Sequence, residues 1–88
     1  MNEQKVKAVI AFKKVRSLMD RVIAMSEDNI YCVDIMQQNL AALGLLKSAH
    51  QSLLEGHLKS CFTEAMSSSN NKRKHEMIEE IIKVSKPR

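Results

Sequence analysis

Aromatic residues are nearly missing from this chain of 88: one Tyr, two Phe and no Trp, 3% in all. So few flat side chains exclude a base-stacking platform for single-stranded nucleic acid. Glycine occurs only at Gly44 and Gly56 and proline only at Pro87, and no run alternates apolar and polar residues with period two. Helices are therefore expected, and strands are not. No apolar run approaches the ~18 residues that a membrane-spanning helix needs. The N-terminus mixes charged and apolar residues throughout, unlike a secretory signal. Cysteine is limited to Cys32 and Cys61. A cytoplasmic setting is expected, where both stay thiols, available as ligands or redox groups. No Ser–His–acid or paired-carboxylate constellation stands out, so neither an enzyme nor a small-molecule substrate is expected.

What is present is 44% hydrophobic residue, mostly aliphatic with six Met, and 27% charged residue. That composition is globular and suits helix packing. Val6, Val9, Ile10, Phe12, Val15, Leu18, Met19, Val22 and Ile23 recur at spacings of three and four, which predicts a first helix over about 3–25. Ser26, Asp28 and Asn29 then offer oxygens to cap the next helix. Val33, Met36, Leu40, Leu43, Leu46, Leu53, Leu54, Leu58 and Phe62 predict a long second helix, about 29–66. After the polar break "SSSNNKRK", Met77, Ile78, Ile81, Ile82 and Val84 predict a third, about 73–85, with these residues inward. The fold class expected is all-α: one domain, a three-helix subunit. Such a subunit cannot close a core alone. Two chains pairing their first two helices into an antiparallel four-helix bundle are the simplest solution, as a homodimer or a dimer of dimers.

The net charge of +4 is unevenly placed. Residues 1–25 carry six basic and two acidic side chains, and the remainder carries eight of each. A solvated helix face is the plain reading of Lys13, Lys14, Arg16 and Arg21. A polyanion-binding surface, with nucleic acid the usual partner, is the functional one.

His57 and Cys61 stand four apart in "LLEGHLKSCFTEA", on one face of the second helix. Cys32 lies 25 residues before His57, about 38 Å away along a continuous helix at ~1.5 Å per residue. One chain cannot bring all three together. An antiparallel dimer sets the start of one long helix beside the end of its partner, so that Cys32 of one chain meets His57 and Cys61 of the other. Two thiolates and one imidazole suit trigonal Cu(I), whereas Zn(II) wants a fourth ligand. The plain alternatives are small core cysteines and a surface histidine.

"YCVDIMQQNLAAL" followed by "LLEGHLKSCFTEA" resembles the copper-sensing operon repressor (CsoR) family of metal-responsive bacterial repressors, and the resemblance covers most of residues 12–84. It implies a dimeric four-helix bundle, usually a tetramer. It also implies Cu(I) held between subunits by Cys32, His57 and Cys61, with Tyr31 and Glu80 hydrogen-bonding around the ligating His. Apo protein would bind double-stranded operator DNA and Cu(I) would release it. The chain departs from the family at the usual DNA-contacting places, where Ala11, Ser17, Leu18 and Arg21 stand in the first helix and Ser48, beside Lys47, in the second. Lys13, Lys14, Arg16, Arg21 and Lys47 are the substitutes expected to touch phosphates. A Cu(I)-buffering relative without operator recognition, or a thiol or persulfide sensor, is the alternative. His50 and His75 match no ligand position and read as surface residues.

Overall fold

Alanine and glycine, not leucine, sit where the helices touch. The structure, a computed structural model, describes residues 2–85. Helix α1 (Glu3–Glu27) and helix α2 (Cys32–His57) run antiparallel. Ala8 and Ala11 of α1 and Ala49 of α2 form the buried seam between them. Ala42, Ala49 and Gly56 recur every seven residues, on one face of α2, and all three are buried. Small side chains there let the two backbones approach closely. At Gly56 an added Cβ would stand 3.0 Å from the Cβ of Gln4, so the N-terminus of α1 crosses directly over this glycine.

Local chemistry sets the helix ends. The Asn2 side chain accepts from the Lys5 N–H at 2.7 Å and opens α1. Ser26, Asp28 and Asn29 do not cap the second helix as the sequence suggested; they close the first. Asn29 takes the left-handed conformation (φ 57°), and the Ile30 N–H reaches back to the Met25 carbonyl at 3.1 Å. This is the Schellman closure, which Asn tolerates better than other non-glycine residues. Ser26 Oγ donates to the Val22 carbonyl of its own helix. The second helix therefore starts at Cys32, with Tyr31 as an N-cap whose side chain makes no capping bond.

The second helix also departs from the single ladder expected. After His57 the chain passes through a π-helical turn, Leu58–Phe62, and a last α-turn, Thr63–Met66. Helix α3 (Asn71–Val84) follows, its N-terminus capped by Asn70 accepting from the Arg73 N–H. Among the described residues every regular element is helical, and the fold class is all-α.

This arrangement is one layer of helices. The extents are 59 × 25 × 14 Å, and a helix with its side chains is about 10–12 Å thick. The radius of gyration is 17.6 Å, where a compact chain of this length has about 12 Å. The accessible surface is 6863 Å², roughly 1,600 Å² more than a folded monomer of this mass exposes. Leu40 is 65% exposed and Ile82 67%. In α3, where five apolar residues were expected inward, only Met77 is buried, while Ile78, Ile82 and Val84 face out.

Candidate functional site

His57 is the last residue of α2 and Cys61 lies within the π turn. Four residues of α-helix turn through about 400°, which sets the second side chain ~40° round from the first. A π turn, with its i→i+5 ladder, is wider and turns less per residue, so it sets Cys61 back from that position. Two hydroxyls hold the turn open. Thr63 Oγ1 donates to the Leu58 carbonyl five residues back at 2.7 Å, and Ser60 Oγ to the Gly56 carbonyl at 2.8 Å. Lys59 Nζ and Glu55 Oε1, at 2.8 Å, bridge the junction on the outside. The Lys59 hydrogen bond holds the Glu55 carboxyl below its ordinary range, and Glu55 raises Lys59 in return.

His57 and Cys61 line one groove of about 580 Å³. Its walls are α2 (His50, Leu53, Leu54), the last turns of α3 (Glu80, Lys83, Val84) and the start of α1 (Asn2, Lys5). Glu80, expected beside the ligating His, is therefore on the rim of the same groove. Tyr31 and Cys32 are not. Tyr31 is 69% exposed and Cys32 is a free, exposed thiol at the opposite end of α2. Among the described residues no three His, Cys, Asp or Glu side chains gather within one chain. Cys32, Met36, Leu40, Leu43, His50, Leu54, His57 and Cys61 nevertheless follow one another at spacings of three, four and seven. They form a single stripe, with soft donors at both ends and exposed apolar side chains between.

Lys13, Lys14 and Arg21 border a shallow hollow of about 490 Å³ on α1, floored by Ile10, Ser17 and Leu18. Arg16 is not part of it, because two residues turn a helix through about 200° and put it on the far side from Lys14. Lys47 is exposed on α2. None of these five cations has a carboxylate within 4.0 Å among the described residues.

Residues 4–86 match the family described as metal-sensitive transcriptional repressor. The chain belongs to this family. Among individual relatives, the chain is similar to the copper-sensing transcriptional repressor CsoR of Mycobacterium tuberculosis (strain ATCC 25618 / H37Rv). The two are 35% identical over 66 residues, 75% of this chain and 56% of the relative. CsoR of Mycobacterium ulcerans (strain Agy99) matches to the same extent. The copper-sensing transcriptional repressor RicR of M. tuberculosis is 30% identical over 64 residues, 73% of this chain and 67% of the relative. The match thus spans little more than half the length of the CsoR relatives.

Two features escaped sequence reasoning. His50 is not a plain surface residue: it is half-buried, and its Nε2 donates to the Val84 carbonyl at 2.5 Å. His75 is exposed, with Nε2 3.2 Å from Glu79 in its own helix. The π turn was the other omission. Its sequence signal is the hydroxyl pair Ser60 and Thr63, each placed to bond backward to a carbonyl.

Proposed function

We propose that this chain is a Cu(I)-responsive transcriptional repressor, a cytoplasmic homodimer or pair of dimers that binds double-stranded operator DNA without metal and releases it with metal bound. One observation carries this reading. Cys32 and the pair His57 and Cys61 occupy opposite ends of one stripe on α2, in which Met36, Leu40 and Leu43 are exposed. A second copy laid antiparallel on that stripe covers Met36, Leu40 and Leu43. It also brings its Cys32 to His57 and Cys61, twice over by symmetry. The donor set of two thiols and an imidazole fits Cu(I), which when bound favours thiolate ligands in low coordination number. The relatives named as copper-sensing repressors support the same class. Glu80 lines the groove with His57, and Tyr31 travels with Cys32. Both are assigned to hydrogen bonds that orient the imidazole.

The DNA face is assigned to Lys13, Lys14 and Arg21 around their common hollow, with Lys47 on α2 and Arg16 on another side of α1 as further phosphate contacts. Ala11, standing where the family carries a basic residue, is in the α1–α2 seam. Binding therefore rests on phosphate contacts and groove shape more than on base reading. The burial of Ala11 also favours a second reading, a Cu(I)-binding or buffering protein that has lost its operator. The two free thiols keep a thiol or persulfide sensor in view as a third. Anaerobic Cu(I) titration, with release of promoter DNA followed by fluorescence anisotropy, separates them. The repressor reading expects release to saturate at one Cu(I) per chain. No preference for its own promoter over random duplex at moderate salt moves the protein to the buffering class, and Cu(I) uptake unaffected by loss of either cysteine removes the ligand set.

A further inference from the structure

We propose that His50 is a positioning residue, which pins the end of α3 to the middle of α2 and so holds Glu80 at the groove that carries His57 and Cys61. Helix α3 is otherwise weakly held. Its buried residues reduce to Met77, and its ion pairs, Lys72–Glu76 and His75–Glu79, are internal. Among the described residues, one side-chain hydrogen bond joins α3 to another helix, and it is His50 Nε2 to the Val84 carbonyl across 34 residues of sequence.

The chemistry of that bond suits a latch. Val84 is the last helical residue of α3, so its carbonyl has no partner within the helix and sits at the negative end of the helix dipole. A neutral imidazole with its proton on Nε2 is enough to satisfy it. Glu80 lies four residues before Val84, one turn up the same face, and fixing one places the other. On α2, His50 is seven residues before His57, two turns along one stripe, so latch and candidate ligand share a rigid support. The bond thus sets where the carboxylate stands relative to the imidazole of His57. This inference rests on the metal-site reading above, but its first test does not need metal.

Two variants of the assembled, metal-free protein are compared with wild type by hydrogen exchange read by mass spectrometry. His50→Leu removes the donor; His50→Gln keeps an N–H at similar reach. With the Leu variant, α3 amides are expected to exchange about five- to tenfold faster while α1 and α2 are unchanged, the scale of one lost hydrogen bond opening one element. The Gln variant is expected to restore most of the protection. Equal exchange in Leu and wild type, or no rescue by Gln, overturns the latch. The second arm measures Cu(I) affinity against a chelator and the fraction of promoter DNA released per Cu(I). Affinity should stay within about threefold, since the three ligands are intact, while release falls in the Leu variant and returns with Gln. Unchanged release in the Leu variant, or Cu(I) affinity lost along with release, overturns the positioning role. If wild type takes up no Cu(I), the metal reading itself fails and the exchange arm alone decides the latch.

Discussion

His57 and Cys61 are four residues apart but stand on two different helical ladders, His57 ending the α-helix and Cys61 lying inside the π turn. The wider turn sets Cys61 back round the axis from its place on an unbroken α-helix, and it does so at the groove that α3 borders. A π turn is less favourable than the α-turn it replaces, and here side-chain hydroxyls offset the difference. Thr63→Val keeps the shape and removes the bond to the Leu58 carbonyl. Urea unfolding is expected to report a loss of about 0.5–1.5 kcal/mol, the range for one net hydrogen bond. Cu(I) affinity under chelator competition should fall with it, and an unchanged affinity separates the turn from the site.

Shared ligands make a prediction about mixtures. Cys32→Ala and Cys61→Ala homodimers are each expected to lose tight Cu(I) binding, because each keeps one thiol per site. Co-refolding the two variants gives heterodimers in which one site has both thiols and the other has neither. Half a site per chain should return in that heterodimer, measured by anaerobic titration after separating it by affinity tag. Ligation within a single chain predicts no recovery on mixing.

Exposed leucine predicts assembly. Leu40 and Leu43 lie at the centre of the α2 stripe. Leu40→Lys puts a charge where a second copy is expected to pack, and an unpaired buried charge is strongly destabilising. Sedimentation should show loss of the dimer, and circular dichroism at the same concentration a loss of helix, because one layer of helices has little core of its own. A helical, stable monomer in wild type at micromolar concentration contradicts the assembly.

The α1–α2 crossing is tested at its tightest point. Replacing a helical glycine by alanine ordinarily gains up to ~1 kcal/mol. At Gly56 the new methyl meets the Gln4 Cβ at 3.0 Å, an atom close to the backbone that cannot swing aside. Gly56→Ala is expected to destabilise by about 1–3 kcal/mol, as overpacking does. Gly44→Ala, with nothing within 4 Å, should gain about 0.5–1 kcal/mol. Thermal unfolding of the pair reads the sign at each glycine.

Periodicity made the three helices legible, because apolar spacing and the "SSSNNKRK" break are written directly in the chain. It misjudged which residues are covered. Large side chains drew attention in α1 and α3, yet Ala8, Ala11 and Ala49 form the seam, while Ile10, Phe12, Ile78 and Ile82 stay exposed. Hydrophobic spacing reports a face that wants burial, not which chain buries it. Asn29 was read as an opener and acts as a closer, since a short polar side chain serves a left-handed C-terminal turn as readily as an N-cap. The soft donors were visible as residue types. That Glu80 shares the groove of His57 and Cys61, and that His50 reaches Val84, depends on how α3 folds back, which local spacing does not encode.

The charge on α1 carries the remaining prediction. Lys14 and Arg21, seven apart, share a face as their spacing indicates. The helix adds Lys13 to them around Ser17 and sends Arg16, read as not far round, elsewhere. Lys14→Glu with Arg21→Glu is therefore expected to abolish promoter binding by the metal-free protein, while Arg16→Glu alone weakens it modestly. Each phosphate contact removed should lower the slope of log affinity against log salt by about 1. Cu(I) binding should be unchanged in both variants, because none of these residues lines the groove of His57 and Cys61. Anisotropy titrations at several salt concentrations give both quantities. If Arg16→Glu proves as damaging as the Lys14 and Arg21 pair, the DNA lies against a different side of α1 from the hollow around Ser17.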